Sequence, residues 1–328
     1  MSFPGFQRRQ LLPPPAAAAV TPLAFAQNGS WPARPITMVV PFPAGGGTDA
    51  FARPLSAQFA RQTGKQLIIE NRGGAGGTVG ASVASKMAPD GYGLFMGAVH
   101  HTIAPSIYPR LDYDLEKDFV PISLVARVPQ VVVVNPKRIE ANDFKTFLDL
   151  VKRNPGRYNY ASAGNGTSHH LAGELFKIQT KTFITHIPYR GAGPALQDLI
   201  AGNADLMFDG LGSSAGHIKG GRIKALMVSG NKRNPAIPDV PTAAEVGLPD
   251  YNVTSWYGIW APKGTPADVQ ARVADEIRKA MQSDELKAIW ASQGAEFPNF
   301  TQQQYGSFIS DEIKRWAQVV KTAGVKAD

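Results

Sequence analysis

The chain has no cysteine among its 328 residues. That excludes a disulfide framework, a thiolate zinc site, an iron–sulfur cluster and a cysteine nucleophile. Charge is sparse as well, at 18% of residues, and the 34 basic side chains exceed the 26 acidic ones without gathering on one element. The densest basic stretches, Lys152-Arg153 with Arg157 and residues 219–224, read as solvated helix ends or loops. A nucleic-acid binder concentrates Lys and Arg among interleaved aromatics. A small acidic molecule suits this mild excess better than a polyanion does. Beyond the first residues no apolar run approaches the roughly 18 needed to span a bilayer.

No acid precedes Asp49. Arg8-Arg9 stand before Leu11-Leu12, the run from Ala16 to Val20, and Ala24-Phe25-Ala26. A positive start, an apolar middle and an A-x-A end make a secretory signal over residues 1–26, cleaved after Ala26. Arg8-Arg9-Gln10-Leu11-Leu12 is also a partial twin-arginine match, and Pro13-Pro14-Pro15 breaks the apolar middle. The expectation is an exported protein.

Past the leader, apolar strands and helices alternate. The pattern predicts strands at 36–42, 66–70, 92–99, 131–134, 158–162, 183–187, 206–209 and 223–229. Thr48 is placed to cap a helix running to about Gln62, another ends near Met87, and residues 168–179 form a third. Asp143 to Arg153 reads as an amphipathic helix, and 265–324 as mostly helix with Pro266 at its first position. Continuous apolar strands alternating with helices predict parallel sheets buried on both faces. Two such α/β units imply two lobes with a cleft between them. One lobe takes residues 31–126 and 253–328, the other 127–252.

Glycine turns recur at the carboxyl ends of these strands, each with a helix behind it. None of six Gly-x-Gly triplets completes the dinucleotide fingerprint. Ala50, Val79, Met96, His169, Leu196 and Ala215 occupy the third glycine's place. There is no phosphate-binding loop with Lys and Ser/Thr. Gly212-Ser213-Ser214-Ala215-Gly216 fits the nucleophile-elbow pattern, yet the last histidine is His217, so no downstream acid and histidine complete a triad. Ser213 or Ser214 then reads as a helix cap. The adjacent pairs His100-His101 and His169-His170 lack metal-ligand spacing. A glycine turn does let backbone approach a ligand closely, and the helix start behind it offers unpaired N–H groups to an anion. Asp49, Asp205 and Asp209 are the acids nearest the cleft. Arg190 is placed either to clamp a carboxylate or to pair with an acid.

Residues 41–49 (PFPAGGGTD), 70–77 (ENRGGAGG), 164–175 (GNGTSHHLAGEL), 188–191 (PYRG), 195–199 (ALQDL), 205–209 (DLMFD), 238–242 (PDVPT) and 256–258 (WYG) resemble the Bug family. These are the extracytoplasmic solute-binding receptors of tripartite tricarboxylate transporters. The resemblance runs from about Trp31 to the C-terminus. It implies an α/β, two-lobed type II periplasmic-binding-protein fold that closes like a hinge on a small carboxylate. The ligand would be a di- or tricarboxylate, an acidic amino acid or an aromatic acid. Implied ligand-binding residues are Phe42, Ala44, Gly45, Gly46, Asp49, Ala75 and Gly76 in the first lobe. In the second they are Gly164, Asn165, Gly166, Thr167, Ser168, Tyr189, Gly191, Ala192 and Asp209. One carboxylate is expected on the turn Gly166 to Ser168. A periplasmic monomer is expected, with no cofactor, metal or nucleic acid, and with membrane transporter subunits as partners. A receptor feeding a signalling partner and an enzyme acting on a small carboxylic acid are the alternatives.

Overall fold

The four consecutive valines Val131 to Val134 are all buried, and they close a strand far longer than they suggest. The computed structural model describes residues 1–2 and 31–326, and the expected leader lies outside the described residues. Everything below concerns the compact unit that begins at Trp31. Its elements are β1 (Ile36–Val40), α1 (Gly47–Thr63), β2 (Leu67–Asn71), a short 3-10 turn (Ala75–Gly77), α2 (Thr78–Ser85), β3 (Gly93–Ala98) and α3 (His100–Ile107). Then come β4 (Phe119–Val134), α4 (Phe144–Arg153), β5 (Asn159–Ser162), α5 (Ser168–Thr180), β6 (Thr185–Pro188), α6 (Ala192–Ala201), β7 (Leu206–Gly210), α7 (Leu211–Lys219) and β8 (Lys224–Val228). The chain ends with β9 (Thr254–Pro262), α8 (Ala267–Gln282), α9 (Asp284–Ser292) and α10 (Gln302–Ala323).

The strands run in the order β2-β1-β3-β9-β4-β7-β5-β6, with β8 added on β4. Each half keeps the expected parallel core: β1 lies parallel to β2 and β3, and β5 parallel to β6 and β7. The strands that join the halves correct the parallel expectation, because β4 and β9 are antiparallel to each other and to their neighbours. A chain that leaves one half and later returns must run both ways through the junction.

Strand β4 is the joint. From Phe119 to Pro129 it pairs with β9, and from Gln130 to Val134 with β7. Pro129 has no N–H to give, which suits the position where one ladder stops. Directly after it, the Gln130 N–H crosses to the Val253 carbonyl at 3.1 Å. The first part of β4 is missed from sequence because two register shifts break its two-residue period. Helix α3 is missed too: Pro105 within it argues against helix, although the Tyr108 N–H still closes onto the Ala104 carbonyl.

Helix starts are partly as expected. Asp143 caps α4 by accepting the Thr146 N–H at 2.7 Å. Thr48 does not cap α1; the cap position is Gly46 and Thr48 is buried inside the first turn. Ser213 and Ser214 likewise lie within α7, whose cap position is Gly210. Pro266 occupies the cap position of α8 and not its first residue. The C-terminal helix α10 is tied in by Glu312, which is buried and accepts the indole N–H groups of Trp256 (2.8 Å) and Trp316 (3.1 Å). Replacing it with an apolar residue strands both donors away from water. Glu312→Leu is expected to lower unfolding free energy by about 2–5 kcal/mol in urea titrations, with Glu312→Gln costing far less.

Candidate ligand-binding cleft

Where the two halves meet, glycines let backbone touch backbone. A β-carbon on Gly193, the second residue of α6, would lie 2.4 Å from the Ala44 carbonyl in the turn before α1. One on Gly76 would lie 3.2 Å from the Asn165 carbonyl. Tyr108, just after α3, donates its hydroxyl to that same carbonyl at 3.1 Å. The cleft is therefore shut in this structure.

Between the turns a cavity of about 280 Å³ remains. The first half lines it with Phe42, Gly74, Ala75, Gly76, Gly77 and Tyr108, the second with Ala163, Gly164, Asn165, Pro188, Tyr189 and Arg190. Residues 74–77 all have positive φ, including Ala75 at 43°, an uncommon place for a residue with a side chain. The Gly77 N–H is spent on the Gly74 carbonyl at 2.9 Å, which leaves the amides of Ala75 and Gly76 at the open start of this turn to receive an anion. Tyr189 shows its ring to the cavity while its hydroxyl is anchored on Asp198 at 2.8 Å. Burial and then that carboxylate push its phenol up to about 12. Arg190 stands exposed at the rim, and no acid pairs with it among the described residues.

Deeper in, a void of about 10 Å³, the size of one water, shares Phe42 and Ala163 with the larger cavity. It is lined further by Gly46, Gly47, Thr48, His100, His169, Ala192 and Tyr257. The first-turn amides of α1 at Gly47 and Thr48 have no intrahelical acceptor. Asp209, fully buried, takes the hydroxyls of Ser213 (2.7 Å) and Ser214 on one oxygen. Its other oxygen is 3.7 Å from His169 Nδ1, and neither atom has a hydrogen-bond partner. Burial holds the His169 ring below the usual histidine range, with Asp209 opposing it.

Six of the sixteen sequence-expected residues line the main cavity: Phe42, Ala75, Gly76, Gly164, Asn165 and Tyr189. Gly46 and Ala192 line the small void. Gly45 opens instead on a separate hollow beside Ser213 and His217. Asp49 is engaged in its own turn, accepting from Gly45 N–H, Arg53 and Asn71. Ala44 is exposed and reaches the opposite half only through its carbonyl beside Gly193, while Gly191 is buried beside Pro43, and neither lines the cavity. The turn Gly166 to Ser168 has its amides already occupied. Gly166 N–H goes to His170 Nδ1 (3.2 Å), Thr167 N–H to the Gly164 carbonyl (3.2 Å) and Ser168 N–H to His100 Nδ1 (3.0 Å). Thr167 also spends its hydroxyl on the Gly164 carbonyl. Tyr108, Gly74, Gly77, His100 and Tyr257 line these cavities but are not among the ligand-binding residues expected from sequence. A wider hollow of about 530 Å³ lies behind the joint, lined by Arg127, Pro129, Asn252 and Thr254 among others. Two single positive-φ glycines line it, Gly230 and Gly294, but no run of successive positive-φ residues like 74–77 does, so volume alone does not make it the site.

A two-lobed α/β molecule closed over a cavity between its lobes is the architecture of a periplasmic solute-binding protein. BugD, a periplasmic binding protein of known structure, superposes with TM-score 0.85 at 33% identity, over 91% of this chain and 100% of BugD. Residues 51–325 match the model of the tripartite tricarboxylate transporter family receptor, and the chain belongs to that family. BugT of Bordetella pertussis is 37% identical over 299 residues, 90% of this chain and 91% of BugT. The structure of Rpa4515 of R. palustris with adipate superposes with TM-score 0.86 at 34% identity, covering 90% of this chain and 99% of that one. The family and these neighbours are solute-binding proteins. No helix among the described residues is long and apolar enough to cross a membrane.

His101 reports on the packing beneath the cleft. Burial lowers its ring to about 4, against hydrogen bonds to Ala98 and Gly77 that raise it. Its neutral form therefore favours the fold above the unfolded value near 6.5, and that contribution is lost as pH falls toward 4. Imidazole NMR is expected to show His101 titrating near 4, and a midpoint near 6.5 places the ring in water.

Proposed function

We propose that the mature chain is a periplasmic solute-binding protein that closes its two lobes on a small dicarboxylate and delivers it to a tripartite tricarboxylate transporter. The lobes divide near Arg127 and Val253, and residues 1–26 serve as the export signal. The observation that carries this reading is the shut cavity at Ala75 and Gly76, with a concave amide run at one end and the uncommitted Arg190 at its rim. One carboxylate takes the amides and the second reaches the guanidinium. The aromatic faces of Phe42, Tyr108 and Tyr189 enclose the apolar spacer between them. Family membership supports the transporter as recipient, and the adipate held by Rpa4515 supports a diacid of this length.

Closure supplies the affinity, since contacts from both lobes exist only in the shut form. Calorimetric titration of the chain from Gln27 with adipate is expected to show saturable binding, with neither the matched diamide nor the hexanoate monoacid binding comparably. Arg190→Gln is expected to weaken adipate about tenfold to a hundredfold, the loss of one charge-assisted contact. Gly193→Ala separates closure from folding. Alanine is the better helix former there, yet its β-carbon would meet the Ala44 carbonyl at 2.4 Å only in the shut form. Retained thermal stability with at least tenfold weaker adipate binding is the expected result. Unchanged affinity in both variants removes the site from this cavity.

A further inference from the structure

Two histidines face each other across the cleft, His100 from α3 and His169 from α5, with ring centroids 5.5 Å apart. His100 Nδ1 accepts the N–H of Ser168, the fully buried first residue of α5, at 3.0 Å. This bond joins the lobes at the helix start where an anion would otherwise bind. It needs a neutral ring: with Nδ1 accepting, the proton sits on Nε2, and an imidazolium has no acceptor left.

We propose that His100 is the latch of the closed cleft, a positioning residue whose neutral imidazole caps α5 from the opposite lobe and whose protonation in mild acid releases it. This rests on the ligand-capture reading and adds regulation of the same site. The groups facing His100 are His101 on its own helix, His169 on α5, Tyr257 on β9 and the edge-on ring of Phe42 before α1. The nearest carboxyl group, Asp209 on β7, faces His169 instead. The other nearby acid, Asp49 on α1, is held by Arg53 and Asn71. No anion is thus arranged to welcome a charged His100. Burial first, then His169 and His101, holds the ring well below the histidine range in the shut form.

Opening returns the ring to water and to an ordinary value near 6.5. Below that pH the open form takes up a proton that the shut form refuses, so closure weakens by up to about tenfold per pH unit. Above it the latch contributes no pH dependence. His100→Asn keeps an acceptor oxygen that cannot be protonated, and His100→Leu keeps bulk without an acceptor.

The test uses adipate as the probe and compares its dissociation constant from pH 8 to 5 in the wild-type chain and both variants. The probe's own titration is common to all three and cancels in their ratios. Because the chain lacks cysteine, Val79→Cys and Ile178→Cys on the exposed faces of the two lobes also carry unique spin labels whose separation reads opening. The expected result is a wild-type constant that rises about tenfold per pH unit below 6.5 relative to His100→Asn. His100→Asn should match wild type within a few-fold at pH 7.5, and His100→Leu should be about tenfold weaker than His100→Asn at every pH. A His100→Asn profile that follows the wild type, or a His100→Leu chain of wild-type affinity at pH 7.5, overturns the latch. If adipate binds none of the chains, the ligand reading fails and the label distances alone decide. A wild-type separation that lengthens in acid while that of His100→Asn holds supports the latch, and identical profiles overturn it.

Discussion

The approach of Gly193 to the Ala44 carbonyl sets the terms for the rest of the molecule. Two backbones come so close that a single β-carbon would lie 2.4 Å from the carbonyl oxygen. Such contact requires turns without side chains, a stiff sheet behind each turn and a joint that aims one at the other. The long strand β4 is that joint, pairing with β9 up to Pro129 and with β7 from Gln130 onward. Two hydrogen bonds also cross here, the Tyr108 hydroxyl on the Asn165 carbonyl and the Ser168 N–H on His100. Both act on backbone groups, so among the described residues shape and hydrogen bonding hold the cleft shut.

The proposed backbone recognition also fits the electrostatics of the interior. Asp49 holds the turn before α1, and Asp209 is committed on one oxygen to Ser213 and Ser214. The cation nearest the main cavity is Arg190, and it stands at the rim. On the proposed reading, a carboxylate inside the cavity meets the amides of Ala75 and Gly76, and one at the mouth meets the solvated guanidinium of Arg190. Amides in a positive-φ run are already oriented, so little reorganisation is lost on binding.

The sequence made the parallel cores of both halves legible, together with the glycine turns and the start of α5 at Ser168, because strand runs, Gly and helix period are local signals. It did not disclose the first part of β4, where bulges interrupt the alternation, or α3, where Pro105 sits within eight residues of helix. The site was legible as a set of turns but not as a set of free donors. Whether the Ser168 amide is available depends on His100, 68 positions earlier in the chain, and no local pattern encodes that pairing. Asp49 and Thr167 fit a ligand motif by type and position, yet their polar atoms are spent within their own turns.

A crystal structure of the mature chain with adipate would show directly which groups hold the ligand. A closed cleft is expected, with one carboxylate on the Ala75 and Gly76 amides, the other at Arg190, and His100 still bonded to Ser168. Adipate seated on the α5 start with His100 displaced, or an adipate-bound chain whose lobes stand apart, would contradict it.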